Sequence, residues 1–306
     1  VMDATLRDGG LVNDFYFTDD FVKALYKTNL EAGVDYMEMG YRASKKVFDE
    51  TKFGKWKFCS DDHIREIVGE NDTDLKLAIM ADIGRHDKND FDEKVNSPVD
   101  MVRVAAYIHQ MPEAIDMIED AHKKGYETTC NIMAISQTRE SDLKVALDML
   151  GKTPVDTIYI VDSFGSIYPE EMKRIVDIYM EAATKYGKQL GVHAHNNQQL
   201  AFANTIEACG DGVNWLDATY KGMGRGAGNC AMELLLGFLK NPKYNTYPVF
   251  RFISDYMVKL EEDGVVWGYD LQYLMTGQLN QHPRTAIKFT KDKRKDYAEF
   301  YKELIV

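Results

Sequence analysis

Two histidines and one aspartate have the residue types and the spacing of a divalent-metal site. His193 and His195 are separated by a single alanine at the end of the apolar run 190–195. If that run is a strand, side chains two positions apart point to the same face and both imidazoles converge on one point. Nitrogen ligands suit a divalent transition metal, and a carboxylate such as Asp8 completes a facial ligand set that leaves positions open for a substrate.

Asn229 and the glycine-rich turn before it extend this candidate metal site. Asn229 offers an amide oxygen as a further ligand, or it caps the helix that follows. The glycines of 222–228, Gly224 among them, let the backbone approach an anionic ligand closely. They do not indicate a dinucleotide site, because that fingerprint follows the first strand of its unit. The alternative to a metal site is a pair of buried histidines satisfied by backbone groups, and Asp8 with Asn229 favours the metal.

Charged residues near these ligands are candidates for substrate chemistry. Arg7 stands directly before Asp8, where a guanidinium can hold a carboxylate or stabilise an enolate oxygen. A salt bridge to Glu38 is compatible with that role, and Glu38 would then orient Arg7 or a metal-bound water. For Arg103, an ion pair with Asp162 is favoured over a contact with the substrate. The candidate substrate-binding residues are Arg7, Arg103, Asn131, Gly224 and Arg225.

The elements that must position these residues alternate along the chain. Eight short apolar runs recur, at residues 2–6, 34–39, 75–81, 99–105, 127–133, 155–161, 190–195 and 213–218. Helix-length stretches between them predict βαβ units and a parallel sheet. Eight units in about 240 residues match a closed (β/α)8 TIM barrel, which builds its active site at the carboxyl ends of the strands. A doubly wound open sheet, the structural alternative, would leave the later units without a place.

The regular alternation of predicted strands and helices ends near residue 240. We therefore expect a barrel domain over 1–240 and a helical extension over 241–306 that packs on the barrel near its rim. The extension either caps the barrel or closes the active site.

Composition excludes several classes of protein. The 306 residues carry a net charge of −12, which argues against non-specific binding to nucleic acid or to an anionic membrane surface. There is no uninterrupted stretch of about 18 apolar residues that would cross a membrane. The four cysteines lack metal-site spacing, and the first residues lack the pattern of a signal peptide. We expect reduced thiols and a cytoplasmic protein.

Taken together, the motifs resemble the DRE-TIM (HMGL-like) metallolyase superfamily, most closely its aldolase branch, the 4-hydroxy-2-oxovalerate aldolases. The resemblance covers about 2–240 and is carried in chain order by TLRDGG at 5–10, EMG at 38–40, HAHNN at 193–197 and GMGRGAGN at 222–229. It implies a TIM barrel that binds Mn²⁺ or Mg²⁺ through Asp8, His193 and His195, with Asn229 as a further ligand. It also implies that Arg7 stabilises an enolate and that Glu38 is the signature acid.

The chain departs from this aldolase pattern at the catalytic base. The aldolases carry a histidine three residues after the metal aspartate, and here that position is Leu11. The segments 267–273 and 277–283 resemble the aldolases' post-barrel region, so His282 or Tyr269 is the hypothesised acid/base. The alternative is that both residues only anchor the tail.

The expected reaction is retro-aldol cleavage of a 4-hydroxy-2-oxo acid through a pyruvate-type enolate. A Claisen-type acyltransferase that condenses an acyl-CoA with a 2-oxo acid is the first alternative, because it uses the same metal and a similar enolate. A non-catalytic metal-binding or scaffold subunit is the second. The expected partner is a small 2-oxo acid, and a homo-oligomer or a dehydrogenase partner is left open.

Overall fold

A closed ring of eight parallel strands forms the centre of the computed structural model, which describes residues 1–87 and 90–306. The strands are β1 Met2–Asp3, β2 Tyr36–Tyr41, β3 Lys76–Asp82, β4 Met101–Ala106, β5 Glu127–Ile132, β6 Thr157–Asp162, β7 Gln189–Ala194 and β8 Trp215–Ala218. Each strand pairs with the next in the chain, and β1 closes the ring on β8 through Met2 and Asp3. The predicted TIM barrel is confirmed.

Helices surround the barrel and continue beyond it. The first eight are α1 Thr5–Gly9, α2 Asp19–Ala32, α3 Asp61–Val68, α4 Met111–Lys123, α5 Glu140–Gly151, α6 Pro169–Tyr186, α7 Ala201–Gly210 and α8 Met232–Leu239. Local chemistry sets their ends. In α2 the Thr18 hydroxyl accepts the Phe21 N–H at 3.2 Å, and Gly33 ends the helix with a φ of 74°.

The first strand is shorter than the apolar run 2–6 suggested. The Asp3 carboxylate accepts both the Thr5 N–H and the Thr5 hydroxyl, which starts a helical turn directly after β1. Arg7 and Asp8 therefore lie on the one-turn helix α1 and not on a strand. The turn still places both side chains at the carboxyl end of the barrel, because it begins where β1 ends.

Five further α-helices follow α8 in the described part of the chain. They are α9 Thr246–Phe252, α10 Val258–Glu262, α11 Leu271–Gln278, α12 Arg284–Lys291 and α13 Tyr297–Ile305. Phe252 of α9 packs on Phe21 of α2 with ring centroids 5.1 Å apart, so this part of the tail shares the main core. Within the described residues, no helix is both long enough and apolar enough to cross a membrane.

Candidate metal centre and substrate cavity

Asp8, His193 and His195 meet at the carboxyl end of the barrel. All three side chains are buried, and one potential ligand atom from each lies within 4.8 Å of the others. The Asp8 Oδ2 atom is 3.3 Å from His193 Nε2 and 3.8 Å from His195 Nε2. His193 belongs to β7 and His195 follows it, so strand alternation brings the two imidazoles together as expected. This is a possible metal site.

Unsatisfied polar atoms show that these residues fit a cation. His193 Nε2 and Asn229 Oδ1 are buried and have no hydrogen-bond partner among the described residues, a costly state unless a ligand fills it. A Cβ atom on Gly224 would lie 2.1 Å from the Asn229 amide nitrogen and 2.8 Å from Asp8 Oδ1. Only glycine at 224 allows both groups to come so close, so the turn wraps tightly around the site.

Arg7 is held beside the metal ligands by two carboxylates. Its Nε atom donates to Glu38 at 2.8 Å and its Nη1 atom donates to Asp8 at 2.5 Å. Burial opposes the charge of Arg7, but Glu38 and Asp8 outweigh it and raise the pKa of Arg7 further. The guanidinium is thus permanently charged and fixed in orientation, and it lines the cavity described below.

Arg103 is fully buried and is not part of the wall of the small cavity at this end of the barrel. Its Nη1 atom is 2.9 Å from Glu38 and its Nη2 atom donates to Asp217 at 2.7 Å. Asp217 also lies 2.9 Å from His193 Nδ1, which orients the imidazole so that Nε2 faces Asp8. The favoured pairing of Arg103 with Asp162 is wrong, because Asp162 instead accepts backbone N–H groups of the loop after β6.

Asp217 contacts both His193 and Arg103 at this site, and it is not among the residues predicted from the sequence. It lies in β8, and burial alone would raise its pKa, but Arg103 and His193 lower that pKa to about 2. The sequence does contain an indication of its role, because Asp217 is an aspartate in an otherwise apolar strand. A carboxylate is rarely buried without a charged or polar partner.

A small cavity of about 60 Å³ opens beside the three candidate metal ligands. Its wall comprises Arg7, Asp8, Leu11, Tyr41, Met80, Ala105, Asn131, Met133, Val161, Ser163, His193, His195 and Arg225. The Asn131 side-chain oxygen accepts the Thr129 hydroxyl at 2.7 Å, and its buried Nδ2 atom has no hydrogen-bond partner among the described residues. The wall thus combines an apolar floor with a few free polar donors, as small-ligand sites do. Arg7, Asn131 and Arg225 are brought together, whereas Glu38 and Arg103 lie behind the wall.

The tail reaches this end of the barrel through Asn280. Its Oδ1 atom accepts the hydroxyls of Ser136 at 2.7 Å and Ser166 at 2.9 Å, which ties it to the loops after β5 and β6. The His282 ring packs on Phe164 with centroids 5.6 Å apart. Neither His282 nor Tyr269 is part of the cavity wall, and Tyr269 is 49% exposed. Their acid/base role stays a prediction.

Lys57 is buried, although the sequence around it is rich in lysines. It is only 6% exposed, and its ammonium lies over the rings of Phe48, Tyr41, Phe15 and Phe53 at 4.3, 4.5, 5.0 and 5.8 Å. Such an aromatic cage stabilises a cation with little help from water. Tyr41 belongs to the cavity wall, so Lys57 supports that side of the site.

The buried ammonium makes stability depend on pH. Burial lowers the pKa of Lys57 from its ordinary 10.5 to about 8. Between these values the unfolded chain still binds the proton that the folded chain has lost, so the free energy of unfolding rises with pH. We expect the wild type to gain up to about 1.4 kcal/mol per pH unit over Lys57→Met in this window. Urea unfolding of both proteins at pH 7.5, 9 and 10.5 measures it, and a constant difference would contradict the burial.

Comparisons with known proteins agree with this geometry. A family model described as HMGL-like matches residues 1–251. A 4-hydroxy-2-oxovalerate aldolase of Thermus thermophilus is 29% identical over 247 residues, which cover 80% of this chain and 70% of that protein. An oxaloacetate decarboxylase of Mycobacterium tuberculosis is 28% identical over 242 residues, with coverage of 78% and 69%. The solved N-terminal domain of a candidate aldolase from Bacteroides vulgatus is 30% identical, with a TM-score of 0.78 and coverage of 95% and 96%.

Proposed function

The chain belongs to the HMGL-like family of lyases, and from this premise we propose that it cleaves the C3–C4 bond of a 4-hydroxy-2-oxo acid. The observation that carries the proposal is the convergence of Asp8, His193 and His195 beside the fixed guanidinium of Arg7. Asp8, His193 and His195, with Asn229 as a further ligand, would hold Mn²⁺ or Mg²⁺, and that cation would supply Lewis-acid chemistry to the 2-oxo acid end of the substrate.

The side chains of this site supply the remaining chemistry. A base removes the proton of the C4 hydroxyl, the C3–C4 bond breaks, and its electron pair stays on the three-carbon fragment as an enolate. Arg7 neutralises the charge that develops on the enolate oxygen, because Glu38 and Asp8 already hold it in place. The free N–H group of Asn131 faces the same cavity and is suited to bind a substrate oxygen. Protonation at C3 then gives pyruvate, and the other fragment leaves as a carbonyl compound.

We assign the base to the tail, since Leu11 occupies the position where a histidine serves in the resembling aldolases. His282 is the stronger candidate because it packs beside the mouth on Phe164, whereas Tyr269 lies further toward solvent. Burial and the nearby Arg225 lower the pKa of His282 to about 4, so its ring is neutral at pH 7, and it would accept the substrate proton on Nδ1 once that atom releases the Arg284 N–H.

Decarboxylation of oxaloacetate is the second candidate function. It would break a carbon–carbon bond next to the same enolate, and it is favoured by the likeness to the mycobacterial oxaloacetate decarboxylase.

Metal removal tests the proposal. We expect pyruvate from 4-hydroxy-2-oxo acids only with Mn²⁺ or Mg²⁺, with activity lost in EDTA and restored by adding the metal back. Pyruvate is measured by NMR, beside parallel assays of oxaloacetate decarboxylation and of thiol release from acetyl-CoA and a 2-oxo acid. Full activity in EDTA would contradict the metal mechanism, and thiol release without pyruvate would favour the acyltransferase.

We also propose roles for the two regions of the chain, a location for the protein and possible partners. Residues 241–306 serve as an extension of the barrel domain 1–240 that helps to close the cavity through Asn280. The four cysteines are free, which supports a reducing, cytoplasmic location. A homo-oligomer or a dehydrogenase partner stays a prediction, to be tested by light scattering and by co-purification.

A further inference from the structure

Arg225 is fixed across the mouth of the cavity. Its backbone N–H donates to Asp8 Oδ1 at 3.0 Å, and its Nη2 atom donates to the carbonyl oxygen of Ser163 at 2.6 Å. The residue therefore spans from the loop after β8 to the loop after β6, and its guanidinium forms part of the cavity wall. Its Nε atom is buried and has no hydrogen-bond partner among the described residues.

The charge of Arg225 is uncompensated, unlike that of the other arginines at the site. Arg7 and Arg103 each contact two carboxylates within 4 Å. In the part of the chain that the structure describes, no carboxylate oxygen lies within that distance of the Arg225 guanidinium nitrogens. A buried donor and an unpaired charge in the wall of a cavity indicate that the missing partner is an anion from the ligand.

More positive charge lies just outside the cavity. The half-buried His282 accepts the Arg284 N–H through Nδ1 at 3.2 Å, so its neutral ring carries the proton on Nε2 and can donate. Besides burial, the positive charges of Arg225, Arg284 and Arg85 lower the pKa of His282. Arg85 has one long contact to Asp82, at 3.4 Å, and remains about half exposed.

Arg85 and Arg284 are not part of the cavity wall, so they are separated from the three-carbon end of the substrate. The cavity beside Arg7 and the candidate metal ligands is small, about 60 Å³. The rest of a longer substrate must extend toward the mouth, where Arg225 and His282 lie.

We propose that the substrate carries a second carboxylate, at the end remote from its 2-oxo acid group, and that Arg225 binds it with Arg85 as the outer contact. The inference rests on the proposed function and narrows it to 4-hydroxy-2-oxo dicarboxylates. A planar guanidinium with a free Nε–H matches a carboxylate, whereas an alkyl end would leave this buried donor without a partner.

Two substrates that differ only at the remote end test the inference. 4-Hydroxy-2-oxopentanedioate and 4-hydroxy-2-oxopentanoate share the 2-oxo acid end, and pyruvate from either is quantified by NMR with saturating Mn²⁺. We expect kcat/KM to be at least about 10-fold higher for the dicarboxylate, as a charged hydrogen bond would give. Arg225→Met should bring this ratio close to one, and Arg85→Gln should lower it several-fold, mainly through KM.

Controls separate this inference from the proposed function. Arg251→Met, at an exposed arginine of α9 paired with Glu31, should keep the wild-type ratio and controls for the loss of one positive charge. Arg85→Gln keeps the test decisive if Arg225→Met does not fold, because Arg85 is exposed. Pyruvate from both substrates at equal efficiency, or from the pentanoate alone, overturns the inference and leaves the lyase proposal standing. Pyruvate from neither contradicts the lyase proposal, and the inference with it.

Discussion

Asp8→Asn should lower the rate of pyruvate release by about a thousand-fold or more, because a charge interaction worth several kcal/mol is removed from the transition state. Asparagine keeps the shape of the side chain but loses the negative charge that a divalent cation requires. The same change removes an anionic acceptor from Arg7, whose Nη1 atom contacts Asp8 at 2.5 Å. Both the affinity for metal and the orientation of the guanidinium should therefore suffer.

Two measurements distinguish this result from simple unfolding. Metal content per chain after equilibration with Mn²⁺ should fall in Asp8→Asn, while the far-ultraviolet circular dichroism should stay that of the wild type. Asp62→Asn is the matched control, since Asp62 is fully solvated on α3 and the substitution should change neither metal content nor turnover. Undiminished activity of Asp8→Asn at limiting Mn²⁺ would remove Asp8 from the metal site.

The candidate metal ligands could be predicted from the sequence because each depends on a local rule. His193 and His195 share one face by strand alternation alone. Asp8 needs only the barrel closure that places β1 beside β8, and that closure follows from counting eight βα units. The prediction holds although Asp8 lies on a helix and not on a strand. The turn Thr5–Gly9 begins at the end of β1, so the Asp8 side chain still lies at the carboxyl end of the barrel.

The partners of the buried charges could not be predicted, because they depend on three-dimensional register across the barrel. Arg103 pairs with a residue 114 positions away, Asp217, and no local pattern distinguishes that partner from Asp162. The burial of Lys57 could not be predicted either. Its loop contains several lysines, and only packing decides that this one enters an aromatic cage while Lys46 stays at the surface. The role of Arg225 could not be predicted either, because only the structure shows that its guanidinium has no carboxylate partner among the described residues.

The buried charged and polar groups in and behind the cavity wall form a closed ring. In order, its members are Asp8, Arg7, Glu38, Arg103, Asp217 and His193, each within 3.3 Å of the next and the last in contact with the first. Three carboxylates face two guanidinium groups, so the ring carries one net negative charge when His193 is neutral. Its geometry therefore serves the metal site as well as stability, and every member contacts two others.

Arg103→Met should be the most destabilising single substitution in this ring, with a loss of about 3–5 kcal/mol in the free energy of unfolding. Arg103 is fully buried between Glu38 and Asp217, so its removal leaves Asp217 without its guanidinium partner and Glu38 with Arg7 alone. Urea unfolding at pH 7 measures the loss, and Arg174→Met, at an exposed pair with Glu140, should cost less than about 1 kcal/mol.

A second substitution shows whether unpaired charge is the cause. Arg103→Met combined with Asp217→Asn removes the carboxylate left without a guanidinium partner, so the double variant should lose less stability than the sum of the two single variants. Because Asp217 orients His193 through Nδ1, Asp217→Asn alone should also weaken Mn²⁺ binding, by about 10- to 100-fold. Strict additivity, with metal affinity unchanged, would mean that Arg103 contributes only packing volume and that the ring does not couple stability to the metal site.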